Sequence, residues 1–425
     1  MKCLLEKLSI GKILFAIISM LGYFIVFNNF ILLSKDMLYG DLSGKKISPQ
    51  PLFGFWRIPD RANTLEHNAI NRLAVDYAQV YFPSQEFSSL TKNYETGYLD
   101  PWERPSRYAP FIHYLCSISF CKLDYGYASF LHMAIQMLLF YLFFISAFKM
   151  LEIATDLWFG LLLVSIFLFV TPAGLGWFER GQFSLYVALS YLLLMLGFLK
   201  NKPVLILASA LFAYVKWTSF PFLLAVFIVY LLSSKNRKES LQTIRMALMY
   251  LLIILLLSLL FRSRFTHFIE GLYTQELYVE PVGISMAQLL PASIVKGMPI
   301  ILIITGYLCL RRNNKNFAHL IPFLTGSGIL MLTYPTVAFE YNIPNLFCFI
   351  PLVFYWIKHS SNMSKIAGYA FFLFVFLISS PKYLSLLIGS KNIVAGYLAV
   401  SIIFLLFPCL FPGGFSFQSL KEENS

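Results

Sequence analysis

Charge is scarce in this sequence. Only 13% of its 425 residues are Asp, Glu, Lys or Arg, about half the share of a soluble globular domain, which excludes an ordinary water-exposed surface for most of the chain. No glycine-rich phosphate loop, H-E-x-x-H or D-x-D occurs. That removes the usual means of cradling a nucleotide, binding a catalytic zinc, or holding a divalent metal on a sugar nucleotide. No nucleotide-binding domain is visible, and no cofactor or metal is expected. Cysteines number six, without metal-ligand spacing. Cys116 and Cys121 read as two small apolar residues, the alternative being that they meet on an outer surface. Acidic residues are fewer than basic ones, 21 against 33, for a formal charge of +12. Because the basic residues sit in short connectors between apolar runs, they read as orientation signals, and no nucleic-acid partner is expected.

What fills the sequence is hydrocarbon: 58% of residues are hydrophobic and 17% aromatic. Uncharged apolar runs near or above ~18 residues recur along the chain, the length that crosses a bilayer as helix. Backbone groups in hydrocarbon must be satisfied within their own segment, and the runs lack period-2 alternation, so helices are expected rather than a barrel. The reading is an all-α polytopic membrane protein forming a single domain over 1–425, with about twelve transmembrane helices. They fall near 13–34, 126–148, 157–173, 183–199, 203–219, 220–234, 246–262, 293–310, 317–335, 344–357, 365–380 and 393–411. Lys2, Lys7 and Lys12 precede the first run and no small-residue cleavage site follows it, which reads as an uncleaved signal anchor.

Lysines and arginines set the orientation. With the N-terminus inside, the inner connectors carry Lys149, Lys200, Lys202, Lys235, Arg237, Lys238, Arg245, Arg311, Arg312, Lys315, Lys358 and Lys365, and 412–425 forms a cytoplasmic tail. The outer connectors keep fewer. The bundle over 126–411 is then preceded by one long outer segment, 35–125, holding six of the seven aspartates. Its Tyr, Phe, Trp and Pro content argues against disorder. Residues 66–82 place Ile70, Leu73, Tyr77 and Tyr81 at helical spacing, predicting an amphipathic helix lying in the interface. A second interfacial helix is expected from Phe111 to Ile118, after Pro110.

The few charges at the ends of apolar runs are the candidates for chemistry. Asp76, in L-A-V-D-Y-A-Q-V-Y, lies beside the apolar stripe of the first interfacial helix. Burial raises a carboxylate's pKa and a nearby cation lowers it, leaving a base able to accept a proton from a hydroxyl. The plainer reading is a surface aspartate paired with Arg72. Arg104, Arg107 and Tyr108, in E-R-P-S-R-Y-A-P, suit a phosphate through planar guanidinium forks, or else touch lipid headgroups. Glu179, Arg180 and Gln182, in W-F-E-R-G-Q, are read as a tight outer connector whose charges enter a site or simply snorkel. Lys216 stands about 13 residues past Pro203, roughly 20 Å up a helix, in the outer third of the bilayer. A lysine there must snorkel, pair or meet an anion, and a phosphate leaving group would satisfy it. Glu340 and Tyr341, in V-A-F-E-Y-N, close the same region from the far side or form a solvated turn.

Taken in order, V-D-Y-A-Q-V-Y, R-Y-A-P-F-I-H-Y-L, R-G-Q-F-S-L-Y, A-L-F-A-Y-V-K-W-T-S-F-P and F-E-Y-N-I-P-N-L-F-C-F-I-P resemble the GT-C superfamily of membrane glycosyltransferases. Within it they are most similar to glycosyltransferase family 87, whose donors are polyprenol-phosphate mannoses. The resemblance runs from the first span to Pro351. Lys216 is followed by Trp217, with proline only at Pro221, where the family often has Lys-Pro, and Glu340 stands where it often has histidine. The resemblance implies a GT-C-type bundle with interfacial helices over it, and inverting transfer. The orientation puts the site on the periplasmic or extracellular face, and the absence of an N-glycosylation sequon from the outer loops fits a bacterial inner membrane. A sugar, mannose favoured, would pass from a polyprenyl-phosphate donor to a glycan or glycolipid acceptor. Asp76 would be the general base, and Lys216 with Arg104, Arg107 or Arg180 would meet the phosphate. The alternatives are a polysaccharide polymerase or ligase using lipid-linked glycan, and a lipid or solute transporter. A transporter usually shows midplane charges and repeated halves, whereas the charges here cluster at outer span ends.

Overall fold

Prolines open helices in this chain because the first turn needs no amide donor and proline's fixed φ already suits it. The computed structural model bears this out at Pro110, Pro172, Pro203, Pro221 and Pro322, each at the first or second position of a helix. It describes residues 10–39, 74–85, 106–234, 236–261, 265, 268–269, 281–312, 317–335, 337–338, 340–359, 362–377 and 389–411. Among them the helices are α1 (Ile10–Tyr39), α2 (Val75–Gln85), α3 (Pro110–Ile118), α4 (Tyr125–Met150), α5 (Leu157–Val170), α6 (Pro172–Arg180), α7 (Ser184–Leu199) and α8 (Pro203–Val215). They continue with α9 (Phe220–Ser233), α10 (Arg237–Leu260), α11 (Ala292–Arg312), α12 (Ile321–Thr333), α13 (Phe349–Lys358), α14 (Asn362–Leu377) and α15 (Ser390–Leu410). Among the described residues the fold is all-α apart from one two-residue parallel pairing of β1 (Val282–Gly283) with β2 (Val337–Ala338).

Among the described residues four helices are long and apolar enough to cross a membrane: α4, α10, α11 and α15. A helical segment also covers each remaining apolar run read from the sequence, several of them only 13 to 16 residues long. At 1.5 Å per residue these reach about 20–24 Å, short of a ~30 Å hydrocarbon layer.

The core is centred on α7, which is buried from Ser184 to Phe198 and packs against α8 and α4. Around it α1 packs on α4 and α5, α9 on α11, and α12 on α15. Close approach uses small residues, as expected where lipid and side chains are equally apolar. A Cβ on Gly326 in α12 would fall 2.7 Å from the Ser401 carbonyl of α15.

The alternating direction of α4, α5, α7 and α8 sorts their connectors to two ends. At one end lie the basic turns: Lys358 Nζ donates to the Glu152 carbonyl at 2.7 Å, and Lys200 Nζ stands 3.9 Å from Glu152 Oε1. At the other lie the start of α4, the α6–α7 turn and the end of α8, with α2 and α3 packed over them.

Several expectations need correction. Over 66–82 the helix begins only at Val75, after Ala74 at φ 52, and 66–73 (Ile70, Arg72 and Leu73 included) lie outside the described residues. Nor does the first half of α2 keep a wet face. Asp76, Tyr77, Ala78, Gln79 and Val80 are all buried, because α3 and α6 enclose it. The run at 157–173 is two helices, broken where Thr171 caps α6 by accepting from the Gly174 amide. W-F-E-R-G-Q is therefore the last turn of a helix and its stop, not a bare connector: Gly181, at φ 61, takes the left-handed conformation that ends helices. The run at 203–219 stops at Val215, so Lys216 follows α8 in extended backbone instead of standing on it. The run at 246–262 begins nine residues early, at Arg237, where Asn236 caps the helix by accepting from the Glu239 amide. Finally, Cys116 and Cys121 do not stay separate apolar residues. They are paired as a disulfide, Cα atoms 4.9 Å apart, across the turn that ends α3.

Candidate functional site

The site lies where α7 begins and α8 ends, the same end of an antiparallel pair. Its base is the start of α2. Tyr125, at the first turn of α4, donates its hydroxyl to the Ala74 carbonyl at 2.7 Å, and Gly181 presses against the same residue. A Cβ on Gly181 would come within 2.9 Å of the Ala74 and Tyr77 Cβ atoms. Two contacts thus fix the entry to α2, and with it Asp76 in its first turn.

The Asp76 carboxylate is 7% exposed. Its Oδ2 accepts a hydrogen bond from Gln182 Nε2 and lies 3.5 Å from Arg180 Nε. The other end of the Gln182 amide, Oε1, accepts from Lys216 Nζ at 2.9 Å. Lys216 donates again, to Asn342 Oδ1 at 2.9 Å, and that oxygen also receives the Ser184 hydroxyl at 3.4 Å. Gln182 is therefore a two-ended bridge between a carboxylate and an ammonium, neither of which could be buried alone without a large desolvation cost. Arg180 is held from its other side by Tyr341, whose ring centroid lies 5.2 Å from the guanidinium carbon and whose hydroxyl hydrogen-bonds it.

The structure brings Asp76, Arg180, Gln182, Lys216 and Tyr341 together. Arg107 is exposed at the rim, within electrostatic reach of Lys216, and its amide donates to Gln79 Oε1 at 3.3 Å. Tyr108 is buried, its ring 4.1 Å from that of Phe183 under the α7 start, and it stands within electrostatic reach of Arg180. Arg104 and the side chains of Glu179 and Glu340 lie outside the described residues. Asn342 and Ser184 were missed by sequence reasoning. The signal was present in F-E-Y-N-I-P, where a neutral amide follows the two residues singled out for charge or ring chemistry.

Charge at the site is lopsided. Arg180, Lys216 and Arg107 face a single carboxylate among the described residues, so the arrangement favours an anion. No group of three or more His, Cys, Asp or Glu able to hold a metal occurs among the described residues.

Beside the polar cluster, on the far side of Tyr77 and Phe183, is a cavity of about 420 Å³. Ile112, Leu115 and Ile118 of α3 form one wall, and His132 and Tyr186 the other. The outer helices are locked down around it. Tyr77's hydroxyl lies 3.3 and 3.1 Å from the two disulfide sulfurs. His113 of α3 places Nε2 2.9 Å from Ser106 Oγ and 3.2 Å from the Gln79 carbonyl. Burial pushes its pKa down to about 3 against that second bond, so the ring is neutral at ordinary pH. No family model, curated protein or solved structure matches this chain.

Proposed function

We propose that this protein is an integral-membrane glycosyltransferase taking its sugar from a polyprenyl-phosphate donor on the non-cytoplasmic face. The observation that carries the reading is a buried carboxylate, Asp76, joined through one glutamine to a half-buried ammonium, Lys216, with Arg180 at 3.5 Å. A transfer of this kind needs a base for the acceptor and cations for the departing phosphate within one sugar's width.

In the proposed reaction the acceptor hydroxyl attacks the anomeric carbon and its proton passes to the Asp76 carboxylate. The new C–O bond forms as the bond from the anomeric carbon to the phosphate oxygen breaks, with inversion. Both electrons leave with the lipid phosphate. Lys216 has three donors, of which two go to Gln182 and Asn342 among the described residues. The third, with the Arg180 guanidinium, would take the phosphate oxygens. The apolar cavity behind Tyr77 has room for part of a hydrocarbon chain beside the charged cluster. The basic connectors at Glu152, Lys200 and Lys358 stand at the opposite end from the site, which supports an outward-facing site by the positive-inside rule. The Cys116–Cys121 disulfide beside it fits the same face.

The test is transfer from radiolabelled polyprenyl-phosphate sugars (mannose, arabinose, glucose and galactose) to membrane glycolipid acceptors by purified protein. The wild type should use one donor. Asp76→Asn keeps the shape and should lower the rate by about 10²–10⁴-fold. Transfer at the wild-type rate by Asp76→Asn removes the base from the mechanism, and no transfer from any donor removes the function.

A further inference from the structure

His132 and Gln136 lie one turn apart on α4, fully buried, directly beneath the turn that carries Gln182. Gln136 Nε2 donates to the Gln182 backbone carbonyl at 2.8 Å and sits 2.9 Å from His132 Nε2. An amide nitrogen has protons and no lone pair to offer, so His132 Nε2 is the acceptor and the ring carries its proton on Nδ1. The ring also faces the backbone of Gly181. Stacking fixes its plane, with Tyr77 at 4.6 Å on one side and Phe183 at 4.4 Å. Two neutral side chains from α4 therefore abut the peptides of two consecutive residues, Gly181 and Gln182.

That turn is the hardest part of the site to keep in place. Its glycine is left-handed and in contact with α2, and in an apolar interior its carbonyls have no water to fall back on. The side chain it projects bridges Asp76 and Lys216. A rotation of the Gln182 peptide would turn its amide away from one partner or both.

We propose that Gln136 and His132 are positioning residues: by fixing the Gly181–Gln182 turn they aim the Gln182 amide, nitrogen at Asp76 and oxygen at Lys216. For its effect on turnover this rests on the transferase reading. For its effect on Lys216 it stands alone, because the geometry exists whether or not a sugar is moved.

The experiment measures acetylation of Lys216 by a small amine-reactive ester, read by peptide mass spectrometry on the full-length protein in detergent, alongside transfer kinetics and melting temperature. With Gln136→Leu, Lys216 loses the Gln182 acceptor and should be acetylated roughly threefold faster or more, the scale of one hydrogen bond. His132→Phe should act in the same direction, and His132→Gln, which keeps a donor and an acceptor, should restore most of the wild-type rate. Gln182→Leu should reproduce the effect, and Gln136→Leu combined with Gln182→Leu should add nothing to it. Turnover in Gln136→Leu should fall about 10- to 100-fold with KM nearly unchanged. Unchanged Lys216 labelling in both Gln136→Leu and His132→Phe, or full additivity in the double variant, overturns the proposal. Should Gln136→Leu fail to fold, His132→Phe against its His132→Gln rescue decides the same point. A labelling shift without any transfer by the wild type would sink the transferase reading and leave the positioning role standing.

Discussion

Helix α7 and the leucine-rich second half of α10 are similarly apolar and live in opposite surroundings. Between Ser184 and Phe198, α7 is buried on every side. On α10 only Thr243, Met246, Tyr250, Ile254 and Ser258 are buried, a single stripe at spacings of three and four. Leu251, Leu252, Leu255, Leu256 and Leu259 face outward and are more than half exposed, or half exposed in the case of Leu252. In a bilayer such leucines exchange lipid for lipid and gain little from a partner. A helix enclosed by protein has no such latitude: its shape is set by neighbours, and a polar group at its end must be matched by another polar group. That is why Gln182 and Ser184, at the start of α7, belong to a fixed circuit, while the polar residues opening α10 need only a cap and water.

The contrast can be broken at several strengths. The largest effect on stability is expected for Leu192→Ala in the middle of α7, a residue 0% exposed. The cavity left behind should cost about 2 kcal/mol or more, seen as a lower thermal midpoint in detergent. A smaller effect is expected from acid. His113 has a folded pKa depressed to about 3 against an unfolded value near 6.5. Below ~6.5 the unfolded chain binds a proton that the folded chain refuses, so this share of stability is present above that pH and is lost as pH falls toward 3. The melting temperature should drop between pH 7 and pH 5, and His113→Gln should flatten that slope. A slope unchanged in His113→Gln would mean that the ring does not tie α3 to α2. The smallest effect belongs to Leu252→Ala on the outer face of α10, expected within ~0.5 kcal/mol of wild type by the same melt. A Leu252→Ala cost equal to that of Leu192→Ala would show α10 to be covered, by a second copy or another protein.

Much of this was legible beforehand. The apolar runs are long and the charges between them few, so most of the helical segments and the end-of-run charges stood out, while the short helix α6 did not. Asp76, Arg180, Gln182, Lys216 and Tyr341 were named from four distant stretches and meet at one place. What could not be read were features created by neighbours remote in sequence. Asn342 and Gln136 are neutral amides in apolar surroundings, and their partners lie 126 and 46 residues away, beyond any spacing rule. The α2 boundary was misplaced for a related reason: its start is set by contact with Gly181 and Tyr125, not by the period of its own side chains. Helix ends such as that of α8 at Lys216 follow from what the lysine must reach, which one-dimensional hydropathy does not contain.

Consider last the sulfur bridge that closes the end of α3. Tyr77 rests its hydroxyl on both sulfurs, and Tyr77 is the immediate chain neighbour of Asp76, so the bridge bears on the first turn of α2 through the length of one tyrosine ring. Material kept in strong reductant and material kept in air are then two different samples of this protein. A laboratory that purifies it under habitual thiol protection would be assaying the one whose outer helices had lost their clasp.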